Sequence, residues 1–377
     1  MMRTAARMFR SLLVTATVGV ALTAISPALM ADEIKAVYGQ ILNNPTDSAL
    51  NLQYALIAEG RHEYRKALSA YERVLVNDPQ NMEALRGIQR VRRIIQPPLT
   101  QKTFEIGATW ESNPMRVSGG GGDFHAYGSF RIRDEHNFGS HRWRTNLSLY
   151  GEKYASFSAM DYASLTADVG PIVDIPDTLW AVRPALGAGT AYFNGKVYYW
   201  DVNATGLFEG YLNGAYQWVR FRAGYRRYDP SFTSGAGAYA DITGKFTIQD
   251  VFRERDALSL SPWVRWSGIN GAPDNSANDF ATGLYVEGGA TLEYSKMLSD
   301  TLTAAVNFKV SDRAYNDIGG GARNDWLLSP GASLIFTNLL GPQTDVRLDY
   351  KYEHNVSNVA THTWDNHAAT IAFVIRR

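Results

Sequence analysis

The sequence predicts a mainly β protein: a transmembrane antiparallel β-barrel of about fourteen strands over residues 102–377, preceded by a small α-helical module. Three observations carry this expectation. First, segment after segment alternates in polarity, as when Leu302, Ala304, Val306, Phe308 and Val310 interleave with Thr303, Ala305, Asn307, Lys309 and Ser311. Successive strand side chains point to opposite faces, so each segment has one apolar and one wet face. Second, the wet face carries long charged residues in strand after strand, which a small closed core could not bury unpaired. Third, many segments reach ten residues, against roughly five or six in an ordinary sheet. Tryptophans 110, 143, 180, 200, 218, 266, 326 and 364 stand near segment ends, as an interfacial girdle requires.

Candidate strands fall near 102–111, 124–134, 142–154, 162–172, 179–192, 197–211, 216–228, 238–250, 257–267, 280–295, 301–312, 325–337, 344–354 and 364–376. The count is even, as in single-chain bacterial barrels. Connections after odd-numbered strands are long, among them 113–123, 229–237, 268–279, 313–324 and 355–363. Those after even-numbered strands are mostly short, such as 213–214 and 296–300. Short periplasmic turns and longer outer loops produce this parity.

At the start of the chain, Arg3, Arg7 and Arg10 precede an apolar run over 11–25, and Ala31 before Asp32 is the expected cleavage point. Residues 1–31 therefore read as a secretory signal peptide. The absence of cysteine excludes disulfides, thiol chemistry and lipidation of a mature N-terminus. No other apolar run reaches the roughly twenty residues of a membrane helix. Lys plus Arg and Asp plus Glu both number 37, so nothing points to nucleic acid as a partner. The expected location is the outer membrane of a Gram-negative bacterium, with the helical module in the periplasm. Membrane lipids and the barrel-insertion machinery follow as partners.

Residues 32–96 have helical periodicity and repeat themselves. Ala36-Val37 and Ile41-Leu42 with Asn44-Pro45 recur as Ala70-Tyr71 and Val74-Leu75 with Asp78-Pro79, the two prolines standing thirty-four residues apart. That is the period of tetratricopeptide helix pairs, and Gly60, Tyr64, Ala67, Tyr71 and Pro79 fit the turn and second helix of one repeat. Arg86, Arg90, Arg92 and Arg93 crowd the last helix as a solvated face or a contact surface for an acidic partner. Pro97-Pro98 ends it, and residues 97–101 form a stiff linker.

Little in the chain suggests catalysis. Seven histidines show no tight ligand spacing, and neither a nucleophile elbow nor a phosphate-binding loop is present. Gly119–Gly122 and Gly319–Gly321 read as flexible outer loops. The expectation is a non-enzyme without catalytic residues, metal or cofactor. The informative residues are those of the wet wall: Arg131, Arg133, Arg142, Arg144, Glu152, Arg220, Arg222, Arg226, Arg265, Glu287, Glu293, Arg347, Asp349, Lys351 and Glu353. They form either a polar conduit or a lumen braced by ion pairs, and barrel shear decides which charges meet.

The order of signal peptide, tetratricopeptide stub, Pro-Pro link and fourteen strands resembles the surface lipoprotein assembly modifier (Slam) family. The first strand, Phe104 to Trp110, ends in Glu111-Ser112-Asn113-Pro114, which is similar to that family's acidic-Ser-Asn barrel opening. The resemblance implies that the helices bind a secreted or lipoprotein client, or a periplasmic partner, and that the barrel brings the client to the surface. An exopolysaccharide export pore with a scaffold-docking helical module is the alternative. A passive barrel without a client is a third.

Overall fold

The computed structural model describes residues 27–377 except 79–80, 96–98, 139–140, 176–177, 179, 213–214, 233–234, 272–281 and 317–321. The chain divides after residue 95 into two compact units.

The first unit contains four described helices: α1 (Pro27–Asn43), α2 (Ser48–Gly60), α3 (Tyr64–Asn77) and α4 (Met82–Ile95). Helix α1 opens inside the stretch assigned to the signal peptide, whose residues 1–26 lie outside the described part. Asp47 caps α2 by accepting from the amides of Ala49 and Leu50 at 2.9 and 3.0 Å, satisfying donors that the first helical turn leaves free. Small residues let the helices approach: Ala55, Ala58, Ala67, Ala70 and Ala84 are fully buried with Val37, Val74 and Val91 between them. Of the repeat-like residues, Gly60 closes α2, Tyr64 opens α3, and Ala67 and Tyr71 enter the core. Pro79 lies outside the described residues.

The Tyr71 ring packs on Gly87, where an added Cβ would meet ring carbons at 2.2 to 2.5 Å. Its hydroxyl donates to Glu59 at 2.6 Å, and Arg90 donates to the same carboxylate at 2.9 and 3.1 Å. Arg90 is thus turned onto α2, whereas Arg86 remains exposed. Burial of Glu59 favours its neutral form, but the hydrogen bonds from Arg90 and Tyr71 outweigh this and hold the carboxyl below its ordinary value. A lowered folded-state pKa contributes stability that is present above the unfolded value of about 4.3 and is lost as pH falls through the folded value. Acidification from about pH 5 should therefore melt the helices of the full chain in detergent, read as ellipticity at 222 nm. Glu59→Gln should flatten that acid limb and lower helix stability by about 1–2 kcal/mol at neutral pH. An unchanged acid limb would dissociate the effect from Glu59.

The second unit is a closed antiparallel barrel in which every strand pairs with its sequence neighbours and the last pairs with the first. Its strands are β1 (Leu99–Glu111), β2 (Asp123–Phe138), β3 (His141–Tyr154), β4 (Tyr162–Asp174), β5 (Trp180–Phe193), β6 (Lys196–Leu212) and β7 (Ala215–Tyr228). They continue as β8 (Ala236–Gln249), β9 (Asp256–Ile269), β10 (Gly283–Ser299), β11 (Leu302–Tyr315), β12 (Asn324–Phe336), β13 (Thr344–Ser357) and β14 (Trp364–Arg376). Strand β1 starts at Leu99, so residues 99–101 belong to the barrel and not to the expected linker. Strands β10 and β11 sit about three residues later at their C-terminal ends than the sequence pattern places them.

Alternation fixes the two faces. In β1, Phe104, Ile106 and Trp110 are exposed outside while Glu105, Thr109 and Glu111 are buried inside. Exposed Leu186, Val202, Phe221, Val264, Val306 and Leu334 extend this apolar outer surface around the barrel. So broad an apolar surface on a closed sheet needs lipid as its solvent. Among the described residues no helix is long and apolar enough to cross a membrane, so crossing falls to the strands.

Two tryptophans depart from the girdle expectation. Trp218 shares the inward parity of Arg220, and Trp364 is buried on the inward parity of Asn366. Connection length also has one exception, because β5 turns into β6 through Asn194 and Gly195 alone, both at positive φ. Prolines interrupt the ladder inside the wall: β4–β5 pairing skips the positions around Pro171 and Pro184, and β12–β13 pairing skips those around Pro330. Proline has no amide hydrogen to donate, which removes a rung.

Candidate functional site

The register assembles the inward charges. Along β7 to β12, Arg222 stands opposite Asp241, Asp241 opposite Arg265, Arg265 opposite Glu287, Glu287 opposite Arg313, and Arg313 opposite Asp325. This belt of alternating charge follows the interstrand hydrogen-bond direction, where opposite residues lie about 5 Å apart. Contacts close along it: Arg222 to Asp241 at 2.7 Å, Arg265 to Glu287 at 3.1 Å, and Arg313 to Glu287 at 2.9 Å. Arg226 extends it toward β6 with 3.2 Å to Asp201 and a guanidinium 3.9 Å from the Tyr199 ring centroid.

A second cluster covers β2 to β6. Arg133 and Arg144 share Glu135 at 2.7 and 2.8 Å, and Arg144 reaches Glu209 at 2.6 Å. Arg183 pairs with Asp168, and Arg142 with Asp174 at 2.7 Å. Glu152 accepts from the Tyr150 hydroxyl at 2.5 Å. Across β1 and β13, Arg347 bridges Glu105 at 2.8 Å and Asp349 at 2.6 Å, with Arg131 adding 3.5 Å to Glu105. Lys351 meets Glu353 at 2.8 Å, and Glu293 lies 4.0 Å from Lys245.

The connection after β1 closes part of the same lumen. Arg116, with φ +52°, is half-buried between the buried carboxylates of Glu111 and Glu353 at 3.1 Å each. Asn113 donates to the carbonyls of Val117 at 2.7 Å and Asp365 at 3.0 Å, and its amide donates to Asn366 at 2.9 Å. The Glu111-Ser112-Asn113-Pro114 element therefore clamps this loop to β14. Gly120 is part of the clamp, since a Cβ there would lie 2.0 Å from the Asn113 side chain. The second glycine run, 319–321, lies outside the described residues.

A cavity of about 440 Å³ opens in the wall of β3 to β7, lined by Arg183, Arg220, Arg222 and Arg226, by Asp168 and Asp201, and by Tyr199, Tyr216 and Trp218. Each wall residue singled out from the sequence occupies inward parity, and Arg220, Arg222 and Arg226, on one face of β7, line this cavity together. Sequence reasoning missed Glu105, Glu111, Arg116, Glu135, Asp168, Arg183, Asp201, Glu209, Asp241 and Arg313. Glu135 and Arg313 were findable, because Glu135 continues the parity of Arg131 and Arg133 and Arg313 that of Lys309 and Ser311. Arg116 sits in a loop without parity, and Arg183 is flanked by apolar residues on both faces of β5.

Apolar exterior, closed sheet and charged interior define a transmembrane β-barrel. No family model matches the chain, and no curated protein matches it. Among solved structures it is similar to the outer membrane channel DcaP of Acinetobacter baumannii, with 8% identity, a TM-score of 0.43, and coverage of 74% of this chain and 97% of that one. OccK1 (OpdK) of Pseudomonas aeruginosa matches with 9% identity and a TM-score of 0.39, over 74% of this chain and 99% of that one. A bacterial polysaccharide outer membrane secretin matches with 10% identity and a TM-score of 0.41, over 74% and 98% respectively.

Proposed function

We propose that the protein is an outer-membrane, non-enzymatic barrel that assists surface delivery of a protein or lipoprotein client, with the helical unit binding the client or a periplasmic partner. The observation that carries this reading is the helical unit itself. It has its own core, yet Leu42, Leu56, Val76, Met82 and Ile94 remain exposed, leaving apolar surface for a partner. The lumen supports the same reading, because its arginines are spent largely on bracing the wall. Deletion of residues 32–96 should leave the barrel inserted and heat-modifiable on gels while client exposure to surface protease falls at least ten-fold. Undiminished exposure would overturn the proposal.

The cavity lined by Arg183, Arg220 and Trp218 favours a second reading, a conduit for a polysaccharide. That reading requires steady ion conductance of the purified protein in planar bilayers, changed by Arg220→Gln. A silent bilayer would exclude it.

A further inference from the structure

We propose that the outward face of β13 and β14, at the end of the barrel where β1 finishes, binds the sugar headgroup of a membrane glycolipid. The inference concerns the lipid-facing surface and depends neither on client delivery nor on what the lumen holds.

Position carries the first part of the argument. Even-numbered residues of β13 and odd-numbered residues of β14 point outward, as exposed Leu348, Val356 and Ile371 show. Toward one end this face turns polar: His354 stands opposite Asp365, and Tyr352 opposite His367. In the next row exposed Tyr350 and Trp110 flank Ala369, and at the rim exposed Trp326 stands opposite Val356. Outward tryptophans mark the boundary between acyl chains and headgroups, so the polar residues lie at headgroup depth. One row further in, Leu348 and Ile371 stand opposite each other and offer the apolar surface that an acyl chain covers. A ligand touching both zones is an amphiphile.

Hydrogen bonding carries the second. His354 Nδ1 lies 2.6 Å from Asp365 Oδ1, which also accepts from the Tyr352 hydroxyl. A ring nitrogen facing a carboxylate carries the proton, and the neutral imidazole then offers Nε2 as an acceptor. Asp365 Oδ2 has no partner among the described residues, and the side chain is 55% exposed. Neither strand carries an outward lysine or arginine. Among the described residues no group of His, Asp and Glu is arranged to hold a metal ion. The patch therefore offers acceptors and one negative charge, and it calls for a ligand that donates. Sugar hydroxyls do so. An ionised phosphate brings acceptors and repulsion, and an ethanolamine headgroup carries such a phosphate beside its ammonium.

Ring arrangement carries the third. The Tyr352 ring centroid lies 4.8 Å from that of His367 and 6.3 Å from that of His354, and Tyr350 lies 6.2 Å from His367. The Tyr350 hydroxyl and His367 Nδ1 hold each other at 2.8 Å, which fixes the inner end of this row. Aromatic faces are electron-rich and take the C–H side of a sugar ring while the carboxylate takes its hydroxyls. Ala369, the small residue between Tyr350 and Trp110, leaves space between two such faces.

The test places the full chain in nanodiscs holding equal amounts of a glucosyl diacylglycerol, phosphatidylethanolamine, phosphatidylglycerol and phosphatidylcholine, all with the same acyl chains. Native mass spectrometry counts the lipids that stay on the released protein. The glucosyl lipid should be retained at least five-fold over each phospholipid. Asp365→Leu should bring that preference to within two-fold, and heat-modifiable migration checks that the variant is folded. His354→Leu provides a second variant should Asp365→Leu fail to fold. The proposal is overturned if the four lipids are retained equally, if any phospholipid matches the glucosyl lipid, or if the folded variant keeps the preference. It is also overturned if the chain is a dimer that Asp365→Leu dissociates, which would give the patch to a second copy.

Discussion

Arg226→Leu is expected to lower the thermal transition of the barrel more than any other single change in its wall. The guanidinium is buried between Asp201 at 3.2 Å and the Tyr199 ring, with the Tyr239 ring at 5.6 Å. Tyr239 itself donates to Asp201 at 2.8 Å. Removing the cation takes from the buried Asp201 carboxylate the charged partner described for it, leaving the neutral Tyr239 and Asn203 donors, and breaking a buried pair in this way costs about 3–5 kcal/mol. Urea unfolding in detergent and the temperature at which heat-modifiable migration is lost both read the effect. Adding Asp201→Asn to Arg226→Leu should recover part of the loss, because the stranded charge is removed with its partner. A single variant as stable as the parent would show that ion pairs do not brace this wall.

Gly87→Val is expected to unfold the helical unit and leave the barrel untouched. Tyr71 is fully buried and tethered by Glu59, so its ring has no free path away from a side chain on α4. Overpacking of a closed core costs about 1–3 kcal/mol, and more where the neighbour is pinned. The unit has a small core with little stability to lose. The helical signal at 222 nm should disappear while gel migration of the barrel persists, and client exposure should fall as far as on deleting residues 32–96. Delivery that survives loss of the helical signal would refute a receptor role for these helices.

Strand count and inward parity were legible because a two-residue period writes the two solvents of a barrel wall directly into the chain. Arg220 and Arg222 declare themselves beside Val219 and Phe221. The partner of each charge was not legible, since the β7 register alone places Arg222 against Asp241 and not against Thr243. Trp218 and Trp364 misled for a related reason: position near a strand end suggested the girdle, whereas parity assigns both to the interior. Gly87 carries no periodic signal at all, because its meaning lies in a ring contributed by another helix. The Glu111-Ser112-Asn113-Pro114 element was visible, but its clamp on Asn366 spans about 250 residues and only the closed sheet brings the two together.

That clamp has a consequence for assembly order. The first hairpin leaves the ribosome long before the final strand, yet the groups that hold its connecting loop, the Asp365 carbonyl, the Asn366 side chain and the His367 backbone, belong to that final strand. Until the sheet closes, Arg116 has Glu111 nearby but not Glu353, and Asn113 has no distant carbonyl to grip. The opening loop therefore acquires its shape last, and its burial reports that the cylinder has been completed.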